Sequence, residues 1–251
     1  MARIISIVNQ KGGVGKTTSA INIGAYLSYL GYKVLLVDID PQANASSGLG
    51  KNIRKIKRGI YDVIIDDHPI EDVILKTKHR DYCLVPSHVD LAGANVELVN
   101  FSDREYILGR KVSQLESNYD FIIIDCPPSL GLLTINGIVA CQEVIVPVQA
   151  EYYALEGLGQ LMETIDLIKE NLNPDLEILG ALITMFDSKY KLSRDVFHEL
   201  YKYFPNKIFR TTIPRCIKLA ESPSHGKSIL KYDKKSRGAK AYHKLSREIL
   251  E

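Results

Sequence analysis

Residues 9–18 read NQKGGVGKTT and follow directly on the apolar stretch IISIV at 4–8. A strand that empties into a glycine-rich turn, with a helix opening behind it, leaves few folds open to the chain. Free backbone N–H groups at the helix start, together with the helix dipole, favour an anion there. Gly12, Gly13 and Gly15 let the backbone curl around phosphate groups without interference from a Cβ. In such a cradle, running from Gly12 through Val14 to Thr18, Lys16 meets the β and γ phosphates of a nucleotide and the Thr17 hydroxyl ligates Mg²⁺. The ordinary phosphate loop, G-x-x-x-x-G-K-[ST], would place glycine where this chain has Gln10, and it needs only one lysine. Lys11 is therefore a second cation that the standard loop does not explain.

The rest of the chain alternates short β-branched runs with helix-like segments. RIISIV (3–8), KVLLVDI (33–39), DFIIID (120–125) and EVIVPV (143–148) are nearly continuous apolar runs, as expected of parallel strands covered on both faces. Between the first two, residues 16–30 place Ile21, Ala25 and Tyr29 on one stripe with Ile23 and Leu27 nearby, and Gly31 follows as a stop. LEILGALITMF (176–186) and NKIFRTTI (206–213) offer later strands, whereas residues 51–80 are charged, mixed and hard to place. The pattern predicts an α/β three-layer sandwich with a mostly parallel central sheet, folded as one domain over 1–251. No internal repeat or linker interrupts it.

Two acidic sites suit a bound cation. FIIID ends at Asp125 and is stopped by Pro127 and Pro128, which puts a carboxylate at a strand's C-terminal tip, the rim where α/β proteins bind ligands. At the end of the second strand, Asp38 and Asp40 stand two residues apart, so a strand's period of two would aim both carboxylates the same way before Pro41 breaks the ladder. One of them could orient an attacking water.

Charge distribution adds a second theme. The formal net charge is only +2, but residues 188–251 hold 16 Lys/Arg against 6 Asp/Glu, a balance of +10, while residues 1–187 hold 16 against 24, a balance of −8. A local excess of that size attracts polyanions. No apolar run approaches the roughly 18 residues of a membrane span, and Met1-Ala2-Arg3 leads straight into the first strand, so a cytoplasmic protein is expected. Cys83, Cys126, Cys141 and Cys216 form no C-x-x-C and read as buried thiols rather than disulfides or a zinc site.

KGGVGKTT, DIDPQANASSGLG, VPSHVDLAGANVEL, IIIDCPPSLGLLT, VPVQAEYYALEGL and IPRCIKLAESPSHGKSILKYDKKSRGAKAY together resemble the ParA/Soj family of chromosome- and plasmid-partitioning ATPases, which have a deviant Walker A loop on the P-loop NTPase fold. The resemblance implies that ATP and Mg²⁺ are bound between two chains of a homodimer. Lys11 would reach across the two-fold interface to the phosphates held by the other subunit, as an arginine finger does. It further implies that Asp40 positions the water, Asp38 supports it, and Asp125 is the Walker B carboxylate beside Thr17. The nucleotide base would lie near Pro214 and Arg215, with Met185 from the preceding strand. Cys216 departs from the family's pattern, standing where relatives commonly have asparagine.

For the basic end, the resemblance implies ATP-dependent binding of double-stranded DNA without sequence preference, through cations on phosphates. The candidates are Arg215, Lys218, Lys227, Lys231, Lys234, Lys235, Arg237 and Lys240. A ParB-type (Spo0J-type) partner and residence on the nucleoid are implied in the same way. The alternative is a MinD-like ATPase that positions a membrane-associated or other large cargo. Against it, Ala241, Tyr242, Leu245 and Ile249 fit a terminal helix docked on the core rather than one lying on a membrane.

Overall fold

The computed structural model describes residues 1–151, 157–187, 189 and 191–251, with the side chains of 191–195 and 198 left aside. Residues 152–156, inside the VPVQAEYYALEGL block, lie outside the described residues. The chain runs β1 (Arg3–Ile7), α1 (Lys16–Tyr29), β2 (Val34–Asp38), α2 (Asn44–Gly48), α3 (Ile60–Ile64), β3 (Leu75–Lys76), β4 (Tyr82–Val85), α4 (Leu91–Glu97) and α5 (Ile107–Ser113). It continues through β5 (Phe121–Asp125), α6 (Leu132–Val139), β6 (Glu143–Gln149), α7 (Leu158–Asn171), β7 (Glu177–Thr184), α8 (Lys191–Tyr203), α9 (Ile217–Glu221), α10 (Ile229–Tyr232) and α11 (Arg237–Ile249). The strands form one sheet in the order β3-β4-β2-β5-β1-β6-β7. Every pairing is parallel except that of β3 with β4.

Alternation along the strands builds both faces at once. Ile4, Leu35, Val37, Ile122 and Ile124 point into one apolar cluster shared with α3 to α8. Their neighbours Ile5, Val34, Leu36 and Ile123 point into another, shared with α1, α2, α9, α10 and α11. This two-sided burial is why the strand sequences read as unbroken apolar runs, and each fully buried aliphatic side chain contributes about 1.5–3 kcal/mol relative to exposure.

The first crossover is built as the sequence suggests, with one exception. Ile21, Ile23, Ala25 and Leu27 are buried, but Tyr29 is 65% exposed, because α1 packs through Tyr26 instead. Gly31 closes the helix at φ 100°: its N–H donates to Ser28 O and that of Tyr32 to Leu27 O, the paired bonds of a Schellman stop.

Two segments differ from their sequence reading. Residues 206–213 run beside β7 without becoming a strand: the Phe209 N–H reaches Ala181 O and the Ile213 N–H reaches Ile183 O, but the pairing between them is interrupted and only the single bridge of Ala181 with Ile208 forms along β7. The reason is a competing acceptor: the Thr211 N–H, next in line for the sheet after that of Phe209, goes to the Glu248 carboxylate on α11 at 3.1 Å, which also takes the Arg210 N–H at 2.6 Å. The mixed stretch 51–80 becomes short turns of helix and the antiparallel edge strand β3, after which β4, absent from the sequence reading, pairs with β2.

Tight packing of α1 on the sheet rests on Gly24. A Cβ there would lie 2.5 Å from the ring of Tyr82, which is fully buried and aims its hydroxyl at the Ala20 and Ile21 carbonyls. Gly24→Ala is therefore expected to destabilise the fold by about 1–3 kcal/mol in a urea titration. Gly159→Ala on α7, where nothing lies within 4 Å, is expected to be neutral or stabilising.

Candidate functional site

The C-terminal tips of β1, β2 and β5 converge on the loop between β1 and α1. Gly13 (φ 76°) and Gly15 (φ 92°) take the left-handed conformations that the curl requires, and Gly15 is the N-cap of α1. Three side chains pin this loop to the scaffold. Asn9 donates to Pro147 O of β6 at 2.8 Å and accepts the Lys11 N–H at 2.9 Å. Gln10 donates to Gly157 O at 2.7 Å, just ahead of α7. Thr184, ending β7, donates its hydroxyl to Val14 O at 2.7 Å. None of these clamps is evident from sequence, although Gln10 is marked by standing where the ordinary loop has glycine.

Lys16 is buried, with 6% of its surface exposed, and its amine donates to Lys11 O at 3.0 Å. Burial lowers its pKa, while the charges of Asp125, Cys126 and Asp40 pull it back up. Asp125 is fully buried at the tip of β5, and neither carboxylate oxygen has a hydrogen-bond donor among the described residues. Its carboxyl is held well above the usual range, first by burial and then by Asp38; the Thr17 hydroxyl eases it downward without meeting hydrogen-bond geometry. Two orphaned, buried acceptors beside a Thr hydroxyl and a lysine are what a Mg²⁺–phosphate group would satisfy. Among the described residues no group of three or more His, Cys, Asp or Glu could hold a metal unaided. A cation here would thus share its remaining coordination with phosphate oxygens and water, as Mg²⁺ does in nucleotide sites.

Asp38 and Asp40 do not face the same way, because β2 ends at Asp38 and its period of two does not extend to Asp40. Asp38 is sealed from solvent. It accepts the Ser46 N–H and hydroxyl at 2.8 and 2.7 Å and the Asp40 N–H at 3.2 Å. Burial pushes its pKa up to about 7 against those three donors. Ser46 in turn accepts the Ser87 N–H at 3.0 Å, and the Ser87 hydroxyl donates to Asp40 O at 2.6 Å. The buried aspartate thus ties α2, the loop after β4 and the backbone of Asp40 into one network, while Asp40 itself lines the cleft. Ser46 and Ser87 carry no motif-level signal; only the fold brings them together.

Two cavities meet at Gly15, Thr18 and Met185. One, of about 400 Å³, is the more polar and is lined by Gly12, Gly13, Lys16, Thr17, Asp40 and Gln42 among others. The other, of about 380 Å³, is almost wholly apolar and lined by Met185, Ile213, Pro214, Arg215, Cys216 and Tyr242 among others. A half that carries the loop and its charges against an apolar half matches a nucleotide's phosphates and base. Met185 (φ 51°), which lines both cavities, and Ala43 (φ 51°), between the lining residues Gln42 and Asn44, hold left-handed backbone that costs about 1–3 kcal/mol each and concentrates at functional sites.

The structure thus gathers Lys11, Lys16, Thr17, Asp38, Asp40 and Asp125 at one end, with Met185, Pro214 and Arg215 beside them. The basic candidates divide. Arg215 pairs with Glu151 at 2.9 Å, and Lys218 pairs with Glu221 at 3.0 Å beside the Tyr232 ring. Lys227, Lys231, Lys234, Lys235, Arg237 and Lys240 are exposed and form no ion pair among the described residues.

A family model described as an AAA domain matches residues 2–178. The sporulation initiation inhibitor protein Soj of Bacillus subtilis is 51% identical over 249 residues, which is 99% of this chain and 98% of that protein. The chromosome partitioning protein ParA of Myxococcus xanthus is 50% identical, covering 100% of this chain and 88% of that one. The chain belongs to the ParA/Soj family. Its P-loop NTPase fold is shared with a solved structure described as the cobyrinic acid a,c-diamide synthase of Mycobacterium smegmatis with bound ATP analogue and magnesium. That chain superposes with a TM-score of 0.89 at 38% identity, covering 100% of this chain and 95% of that one.

Within the family framework, the Asp38 network carries a stability test. Ser46→Ala leaves a buried carboxylate short of one donor and the Ser87 N–H short of its acceptor. It is expected to lower unfolding free energy by about 1–3 kcal/mol in urea denaturation.

Proposed function

We propose that this protein is an ATP-dependent switch that pairs when it holds ATP, binds duplex DNA without sequence preference in that state, and drives the segregation of a chromosome or plasmid. The observation that carries the reading is the phosphate loop, whose lysine is buried against Asp125 and Asp40 in a chain half identical to Soj along almost its whole length. Gly12 to Thr18 hold the phosphates, and Met185, Pro214 and Arg215 flank the base. Thr17 and Asp125 hold Mg²⁺, which supplies charge neutralisation on the phosphate oxygens. Asp40 orients the attacking water for slow hydrolysis to ADP, and Asp38 fixes the Asp40 backbone through its N–H. A two-faced core around one such site supports reading residues 1–251 as a single ATPase domain.

Lys11 acts in trans. Its amine makes no ion pair or hydrogen bond among the described residues, which leaves it free for a neighbour's phosphates. In a symmetric dimer each Lys11 would complete its partner's site, so pairing would depend on the nucleotide. A ParB-type partner would stimulate hydrolysis and release the chain from the nucleoid. No helix among the described residues is long and apolar enough to cross a membrane. The apolar side of α11 is packed on α1, which supports a DNA-associated rather than a membrane-associated role.

Co-sedimentation with random-sequence DNA under ATP, ADP and no nucleotide tests the switch: pelleting with ATP alone supports it, and equal pelleting in all three overturns it. Lys11→Ala is expected to retain nucleotide binding by calorimetry yet remain monomeric by light scattering in ATP. Asp40→Ala is expected to lower phosphate release by about 10²-fold or more and to leave a long-lived ATP dimer on DNA. Wild-type turnover in that variant would remove Asp40 from the role.

A further inference from the structure

The segment 51–80 has charge as uneven as the whole chain. Residues 51–58 hold five Lys/Arg and no acid, residues 76–80 hold three and no acid, and the carboxylates lie between them. The fold brings both basic ends against the C-terminal basic stretch. Gly50 (φ 81°) and Gly226 (φ 59°) touch backbone to backbone: a Cβ on Gly226 would lie 2.6 Å from the Gly50 Cα. A Cβ on Gly50 would lie 2.9 Å from Gly226 O and 3.3 Å from the Lys78 amine, so Lys78 sits over this contact. The Lys51 amine donates to Lys76 O and holds the two basic ends together.

The junction is fixed on its C-terminal side as well. His79 Nε2 and Ser228 Oγ are 3.0 Å apart and buried, and the Ile229 N–H donates to the Asn22 side chain of α1 at 2.8 Å. Lys227 and Lys231, on either side of that anchor, are exposed, as is Lys78. No ion pair among the described residues neutralises Lys51, Lys78, Lys227 or Lys231, in contrast to Arg215 and Lys218. Uncompensated cations held close by a rigid backbone contact repel one another until an anion arrives. Ser47 and Pro223, within a few residues of the two glycines, line the polar cavity with Asp40, so this surface starts at the rim of the nucleotide cleft.

We propose that the DNA-binding surface is composite, with Lys51 and Lys78 joining Lys227 and Lys231 around the Gly50–Gly226 contact to neutralise successive phosphates of a duplex. The inference rests on the DNA-binding reading above and extends it to a part of the chain outside the basic C-terminal stretch. Duplex DNA is the occupant because lysines are point charges suited to phosphates. The nearby rings are already engaged, His225 stacking on Tyr232 and Tyr232 lying under Lys218, which leaves no free platform for unpaired bases.

The test measures ATP-state affinity for random-sequence duplex DNA against KCl concentration. It compares the wild type with Lys51→Gln/Lys78→Gln, Lys78→Gln alone and Lys227→Gln/Lys231→Gln, with Lys169→Gln, exposed on α7 across the opposite face of the sheet, as a control. Both double variants are expected to weaken binding about tenfold or more near 0.1 M salt and to flatten the log–log salt slope by about 2 or more. Lys78→Gln alone flattens it by about 1, and Lys169→Gln leaves it unchanged. Thermal melts and light scattering show that each variant is folded and paired. If the Lys51/Lys78 variants bind like the wild type while Lys227/Lys231 weakens, the composite surface is wrong and the switch stands. If the wild type does not bind duplex DNA with ATP, the switch reading falls and takes the composite surface with it.

Discussion

A lysine amine and the carboxylates of Asp125, Asp38 and Asp40, gathered at the tips of adjacent strands, are the constraint on which the rest of the molecule depends. Charges removed from water are expensive unless paired, and here the pairing is incomplete: Asp125 has no donor among the described residues and Lys16 borrows a backbone carbonyl. The site is therefore poised for a ligand that brings both anionic oxygens and a cation. The loop clamps, the strained Met185 and Ala43, and the serine network under Asp38 all hold these groups where burial alone would disperse them.

β1, β2, β5 and β6 were legible because a sheet covered on both faces demands apolar residues at every position, and the cradle because its glycines and lysine follow a strand directly. The tip of β5 was legible through the prolines behind Asp125. What escaped the sequence depends on tertiary competition. Residues 206–213 have strand-like composition, but Glu248, far along the chain, captures the Thr211 N–H that a continuous ladder would need. Tyr29 has the right spacing for a core residue, yet the neighbouring Tyr26 fills that space and stacks on His243.

The site shows the same division. Lys16, Thr17 and Asp125 can be named from a motif, because a phosphate and its metal dictate residue type. Ser46, Ser87, Asn9 and Thr184 cannot, since a hydroxyl or an amide beside a backbone group is useful almost anywhere. Asp38 illustrates the limit: its spacing from Asp40 suggests twin carboxylates, whereas the end of β2 turns one inward as a structural anchor and leaves the other in the cleft.

Gln10 offers a last consequence. With its amide on Gly157 O, and with a Cβ at 157 falling 1.8 Å from that amide nitrogen at φ 79°, a side chain at 157 would both strain the backbone and push the Gln10 amide from its place. The nucleotide cradle and the threshold of α7 are thereby joined through one amide, so that a displacement of either is felt first at Gln10.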